Sequence, residues 1–337
     1  MIKILKKIGL VFSWLILVVV LLCTIFYFKH QPAQTVDWGL TFSSHEARGL
    51  GFDDRQMYLD ILTDLKPKTI RLMSYWEDLE RTRGRFDFSS VDWMLNEAAK
   101  NNVDVVLVVG RKQPRWPECH EPEWFKTLPK TEQDEAVLNL VRKSIEHFKT
   151  FSVIKEWQVE NEPYFIFGDN CPAVDSALFE KEVALVKSLD SRPIIVTDSG
   201  DRGGWLGVAK TNPSALGITL YRLSYDEKYG GYYKYPLPGA YYKIRSGILR
   251  TFSNVDVVWD MELQMEPWFT NGALNTPLDV QKTLMNQKVF ADNIAYAENL
   301  SLGRHYLWGV EWWYWMAKKN NDWGMWASAK DLFAKNR

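Results

Sequence analysis

The first long pattern in the chain is an uninterrupted apolar one: residues 8–28 carry no charged side chain over 21 positions. As a helix such a run reaches roughly 30 Å, the thickness of a bilayer's hydrocarbon core. It has no polar face, which argues against a core helix of a globular domain. Lys3, Lys6 and Lys7 precede the run and Lys29 alone follows it closely. The positive-inside rule therefore puts the N-terminus in the cytoplasm and everything after residue 30 outside. A cleaved signal peptide is the competing reading. The run exceeds the usual length of a signal's apolar region, however, and no small-x-small cleavage site follows it. Cys23 follows Leu22 rather than a small residue, which disfavours lipoprotein-type cleavage as well. Residues 1–30 are thus expected to be a cytoplasmic stub and an uncleaved single-pass anchor, and residues 31–337 a separate extracytoplasmic domain.

Past a short linker the pattern alternates between strand and helix. Strands are predicted at 38–42, 69–76, 104–110, 157–162, 193–197, 216–221, 257–262 and 306–312. Helical spacing covers 55–65, 89–101, 131–150, 175–189, 278–299 and 327–334. The run Asp104-Val-Val-Leu-Val-Val-Gly110 is apolar throughout, as a parallel strand covered on both faces requires. Only 222–254 breaks the rhythm, too long for an ordinary connection and rich in Tyr, Gly and Pro, which suggests a functional loop or a small subdomain. Eight strands with helices between them predict an α/β fold, a single (β/α)8 barrel behind one transmembrane helix.

Charge and composition narrow the function by exclusion. The formal net charge is -1, so no general field recruits nucleic acid. Dinucleotide, P-loop, zincin and nucleophile-elbow motifs are all missing from the sequence. Cys23, Cys119 and Cys171 show no spacing typical of zinc sites, and neither a structural metal nor any other cofactor is expected.

Two strand ends carry the candidate chemistry. Trp157-Gln-Val-Glu-Asn-Glu-Pro163 turns from apolar residues to acid, amide, acid and proline, and proline ends the strand. Val257-Val-Trp-Asp-Met-Glu262 repeats the arrangement on the seventh strand. In both, period-two geometry puts the acids on one face, and a barrel's catalytic groups stand at the C-terminal ends of its strands. Buried carboxylates need a counter-charge, and Arg71 on the second strand is the nearest candidate. A purely structural ion network is the competing account of these residues.

On these residues the stretch from Trp38 to Trp313 resembles the retaining glycoside hydrolases of clan A, the cellulase and β-glycosidase superfamily. The most specific match is Asn161-Glu162-Pro163. The resemblance implies that Glu162 is the acid/base and Glu262 the nucleophile, with Arg71 beside it. It also implies that Asn161 bonds the sugar's 2-hydroxyl, that Tyr221 is a hydroxyl donor and that Trp312 or Trp313 is a sugar platform. Glu266 lies four positions beyond Glu262 and competes for the nucleophile role. Glu262 is preferred because the apolar run ends there. His120, in the loop after the third strand, is a candidate cleft-lining residue, and His45 and Glu46 follow the first strand in the same way.

A retaining mechanism needs one carboxyl protonated and the other ionised, so environment must push their pKa values apart. The expected function is that of a membrane-anchored glycosidase acting on β-linked oligo- or polysaccharides. A transglycosylase of the same fold and a catalytically silent glycan-binding barrel are the alternatives. Cys119 and Cys171 fall in the loops after the third and fourth strands, which are neighbours in a barrel, and are expected to form a disulfide outside the cytoplasm.

Overall fold

The computed structural model describes residues 2–33, 35–226 and 228–336. Among these residues ten strands occur in chain order: β1 (Asp37–Phe42), β2 (Thr69–Met73), β3 (Asp104–Val109), β4 (Ile154–Val159), β5 (Ile194–Asp198), β6 (Ala215–Leu220), β7 (Leu223–Asp226), β8 (Gly231–Lys234), β9 (Val258–Gln264) and β10 (Arg304–Trp308). All but β7 and β8 close into one parallel barrel in the order β1-β10-β9-β6-β5-β4-β3-β2, with β7 and β8 forming a separate antiparallel hairpin. Because each strand is covered by helices outside and by side chains inside, β3 and β6 are buried along nearly all their length. Inside the barrel Val106, Ile195, Ala215, Met261 and Tyr306 form one packed layer. At Gly217 a Cβ would meet the Met261 side chain at 2.5 Å, so only glycine lets this layer close.

Several strand ends differ from the sequence pattern, because side-chain character does not mark where the backbone ladder starts and stops. β2 stops at Met73, and Ser74 to Trp76 turn into a short helix. β4 begins and ends three residues earlier than its apolar run suggests. Glu160 and Glu162 then take φ of 58° and 43°, left-handed values that no strand contains. Period two therefore fails where the acids stand. β9 continues to Gln264, two residues past Glu262, with a register shift against β6 at Ile218 and Thr219. β10 ends at Trp308. Gly309, at φ 125°, turns the chain into the helix Val310–Asn320.

The region 222–254 holds both the β7–β8 hairpin and the helix Gly239–Phe252, a barrel helix that its Tyr, Gly and Pro content hid. The single helix expected over 278–299 is broken at Met285 and Asn286. There the Asn286 side chain caps a new helix by accepting from the Lys288 and Val289 N–H groups.

The N-terminal helix spans Ile2–Lys29, and its segment Lys7–Lys29 is long and apolar enough to cross a membrane while none of it is buried. Its last turn rests on the helix Gly239–Phe252. Phe26 and Phe252 pack with ring centroids 6.0 Å apart, and a Cβ on Gly247 would meet the Phe26 carbonyl oxygen at 1.8 Å. A small residue is what such close helix approach needs.

Candidate active site

Arg71 organises the C-terminal mouth of the barrel. Extended from β2 and fully buried, its guanidinium donates to Gln158 Oε1 at 2.8 Å, to the Met261 carbonyl at 3.1 Å, to Glu262 Oε1 at 2.9 Å and to Asn161 Oδ1 at 2.8 Å. β4, the turn after it and β9 are thereby tied to one planar cation on β2, a geometry suited to arginine and not to lysine. Glu262 has a second partner: the Tyr221 hydroxyl donates to its Oε2 at 3.0 Å. Both oxygens of this carboxylate are held.

Glu162 stands across the mouth on the turn after β4. Its backbone N–H donates to Thr197 Oγ1 at 2.8 Å, and Thr219 Oγ1 lies 3.2 Å from its Oε1. Burial pushes this carboxyl well above the usual range, and the negative charges of Glu262 and Glu118 push it the same way. Its contrast with Glu262 lies in the partners: among the described residues no cation side chain bonds its carboxylate, and the Lys112 ammonium bonds its backbone carbonyl instead. Glu160, which period two had grouped with it, is turned into the structure and accepts from the Arg111 and Lys112 N–H groups at 2.7 and 2.5 Å. Those bonds hold the left-handed turn that aims Glu162.

Of the remaining sequence candidates, Asn161 and Tyr221 join this cluster, whereas Trp312, Trp313 and His120 do not touch it. Trp312 and Trp313 lie on the helix after β10, packed in the hydrophobic core, with their indole N–H groups donating to Gln281 Oε1 and to the Met265 carbonyl, each at 2.7 Å. Trp308 is the last residue of β10. The Arg115 guanidinium lies 4.0 Å from its ring centroid, and Tyr221 packs against it at 6.5 Å. His120 is fully buried, with its nitrogens facing Glu77 and the Arg115 carbonyl rather than either glutamate of the pair.

Glu266 belongs to a different group. Arg115 grips it through both terminal nitrogens, at 2.5 and 3.5 Å, and also holds Glu311 at 2.6 Å. Burial raises the Glu266 carboxyl to about 7. Sequence reasoning missed Arg115 and Glu311, and it missed Glu118. The Asn161 amide N–H donates to Glu118 Oε2 at 3.1 Å, and burial followed by the Glu262 charge raises the Glu118 carboxyl to about 8. The one signal for Glu118 was its place beside Cys119. The structure joins Cys119 and Cys171 in a disulfide with Cα atoms 5.3 Å apart, which draws the loops after β3 and β4 together and carries Glu118 to Asn161.

No family model and no curated protein sequence matches the chain. Among solved structures it is similar to xylanase 10B from Thermotoga petrophila in complex with xylobiose, with a TM-score of 0.57 and 15% identity over 89% of this chain and 94% of that one. It is also similar to GH5_18 from Bifidobacterium longum subsp. longum, with a TM-score of 0.56 and 12% identity over 82% and 70%. The exo-β-1,4-mannosidase Op5Man5 from an Opitutaceae bacterium matches with a TM-score of 0.55 and 14% identity over 83% and 53%. At these identities the shared property is the barrel fold, and it agrees with the clan A resemblance carried by Asn161-Glu162-Pro163.

Proposed function

We propose that the protein is a membrane-anchored retaining glycoside hydrolase acting on β-linked glycans. The observation that carries this reading is the unequal treatment of two buried carboxylates at one barrel mouth. Glu262 is held by the Arg71 cation and the Tyr221 hydroxyl, while burial and neighbouring acids push the Glu162 carboxyl well above its usual range. In the first step Glu162 gives its proton to the glycosidic oxygen as Glu262 attacks the anomeric carbon, so that the carbon–oxygen bond breaks and a glycosyl ester forms. In the second, the Glu162 carboxylate takes a proton from water, which attacks the same carbon, frees the sugar and restores both acids.

Arg71 and Tyr221 keep Glu262 oriented for attack. Trp308 supplies an aromatic face at the mouth, and Asn161 stands beside the nucleophile. On the β7–β8 hairpin Tyr225 and Tyr232 pair across the strands with ring centroids 5.4 Å apart and offer further stacking surface. The apolar helix anchors the chain with its N-terminus in the cytoplasm, as its flanking lysines favour, and the disulfide suits an oxidising compartment.

The solved relatives named for xylan and β-1,4-mannoside chemistry direct the test. Full-length protein is assayed against aryl β-xylosides, β-mannosides and β-glucosides, and the first-formed anomer is read by NMR. Turnover with retained configuration supports the proposal, and inverted product refutes the double displacement. Glycan binding without turnover on any substrate would assign the chain to a silent binding barrel instead.

A further inference from the structure

Outside the glutamate pair, three loops of the same barrel face converge on a second cluster of chemically active side chains. His45 follows β1, Glu77 follows β2 and His120 follows β3, three adjacent strands of the barrel. One potential ligand atom from each lies within 4.8 Å of the other two. His120 Nδ1 is 3.2 Å and His45 Nδ1 is 3.4 Å from the same oxygen, Glu77 Oε1. Tyr75 packs against both rings, stacked on His45 with centroids 4.0 Å apart and tilted against His120 at 4.1 Å, and the two imidazoles meet edge-on at 5.4 Å.

The protons on these rings are set by their outer partners. His120 Nε2 lies 3.1 Å from the Arg115 carbonyl, an atom that only accepts, so Nε2 carries a hydrogen. His45 Nε2 lies 2.7 Å from Asp78 Oδ2, and an ionised carboxylate oxygen only accepts. His45 Nε2 is therefore also a donor. In a neutral imidazole the other nitrogen then presents a bare lone pair. Two such lone pairs and a carboxylate oxygen thus point at one another, an arrangement that repels unless a cation sits between them.

We infer that His45 Nδ1, His120 Nδ1 and Glu77 Oε1 form a binding site for a zinc-class divalent transition metal. Two imidazoles and one carboxylate are a donor set that zinc takes with a fourth, open position. Tetrahedral bonds of about 2.0 Å imply ligand atoms about 3.3 Å apart, and both measured nitrogen–oxygen separations fall there. The outer partners are those that metal-bound histidines use: Asp78 on one ring and a backbone carbonyl on the other. Calcium and magnesium, which prefer oxygen donors, do not suit the set. Sequence spacing concealed it, because the ligands come from three separate loops and not from one motif. The ion would clamp the loops after β1, β2 and β3. His120 adjoins the disulfide and lies two residues from Glu118, so the clamp positions the wall of the mouth and stays independent of the glycosidase reading.

The test uses the full-length, untagged chain in detergent, stripped with chelator and titrated with Co2+ and then Zn2+. The expected result is saturation at one equivalent with the visible bands of four-coordinate cobalt, displaced by zinc. Zinc at about a hundred times its Kd should raise the thermal midpoint by about 4 °C, and magnesium or calcium should leave it unchanged. Glu77→Gln and His45→Gln, both at partly exposed positions, should each lower cobalt affinity at least tenfold and alter the spectrum, with His120→Gln as a third variant. The inference is overturned by absence of saturable binding to the wild-type chain, or by unchanged affinity and spectrum in Glu77→Gln. It is equally overturned if imidazole nitrogen NMR in the presence of zinc shows both rings doubly protonated, because the cluster is then an ion pair between two imidazolium groups and Glu77.

Discussion

Removing the disulfide between Cys119 and Cys171 should cost both stability and catalytic order. The two cysteines are separated by 52 residues, and closing a loop of that length removes about 14 cal/mol/K from the unfolded chain, or about 4 kcal/mol at 25 °C in the chain-entropy treatment. For a folded domain of roughly 300 residues the unfolding entropy is about 0.6 kcal/mol/K, so the Cys119→Ser/Cys171→Ser variant should melt about 6 °C lower. The loss is not confined to the unfolded chain. Cys119 lies between Glu118, which accepts from the Asn161 amide, and His120, whose Nε2 faces the Arg115 carbonyl, so a freed loop loosens the wall beside Glu262. KM should therefore rise along with the fall in midpoint. Scanning calorimetry of the two proteins side by side gives the shift, and mass spectrometry of a non-reduced digest identifies the linked peptides. Separate peptides with free thiols in the wild-type protein, or a variant melting within about 1 °C of it, would refute the reasoning.

Replacing Glu262 by alanine should abolish nearly all turnover, with azide restoring part of it as glycosyl azide; the same rescue in Glu266→Ala, with Glu262→Ala still active, would transfer the nucleophile role. The Glu118 and Glu266 carboxyls have folded-state pKa values of about 8 and about 7, raised from 4.5, so the native state holds more protons than the unfolded chain between those limits. Their contribution to stability is fully present below about pH 4.5 and is lost as pH rises through about 7 to 8. The midpoint should accordingly fall between pH 5 and 8, and Glu118→Gln should flatten that slope; a slope unchanged in the variant would count against the assignment. Gly247→Leu should lift the N-terminal helix off the helix Gly239–Phe252, because its side chain would occupy the space of the Phe26 carbonyl. Limited proteolysis in the 31–36 linker should speed up several-fold while the barrel's midpoint changes little.

Much of this protein was written in local pattern. Eight apolar runs separated by helical spacing define the strands of the barrel because burial on both faces leaves no alternative to apolar residues there. The membrane-length helix follows from the missing charges alone. Glu162 and Glu262 were legible because acids at the ends of buried strands are costly without a purpose, and Arg71 because a cation in the middle of a strand needs an anion. Cys119 and Cys171 could be paired because neighbouring strands bring their following loops together.

Tertiary structure decided what depends on where the backbone leaves the ladder. Trp312 and Trp313 continue the apolar run of β10, and only the turn at Gly309 sends them into the core and leaves Trp308 as the last residue of the strand. Glu160 and Glu162 differ by two residues, yet their left-handed φ values turn one into a backbone clamp and the other toward Glu262. Neither Glu118 beside Asn161 nor the convergence of His45, Glu77 and His120 can be read from spacing, because each joins residues on different loops. Local sequence sets periodicity and burial, which act over a few residues; the site is assembled by barrel closure, which brings residues as distant as Arg71 and Glu262 within 2.9 Å.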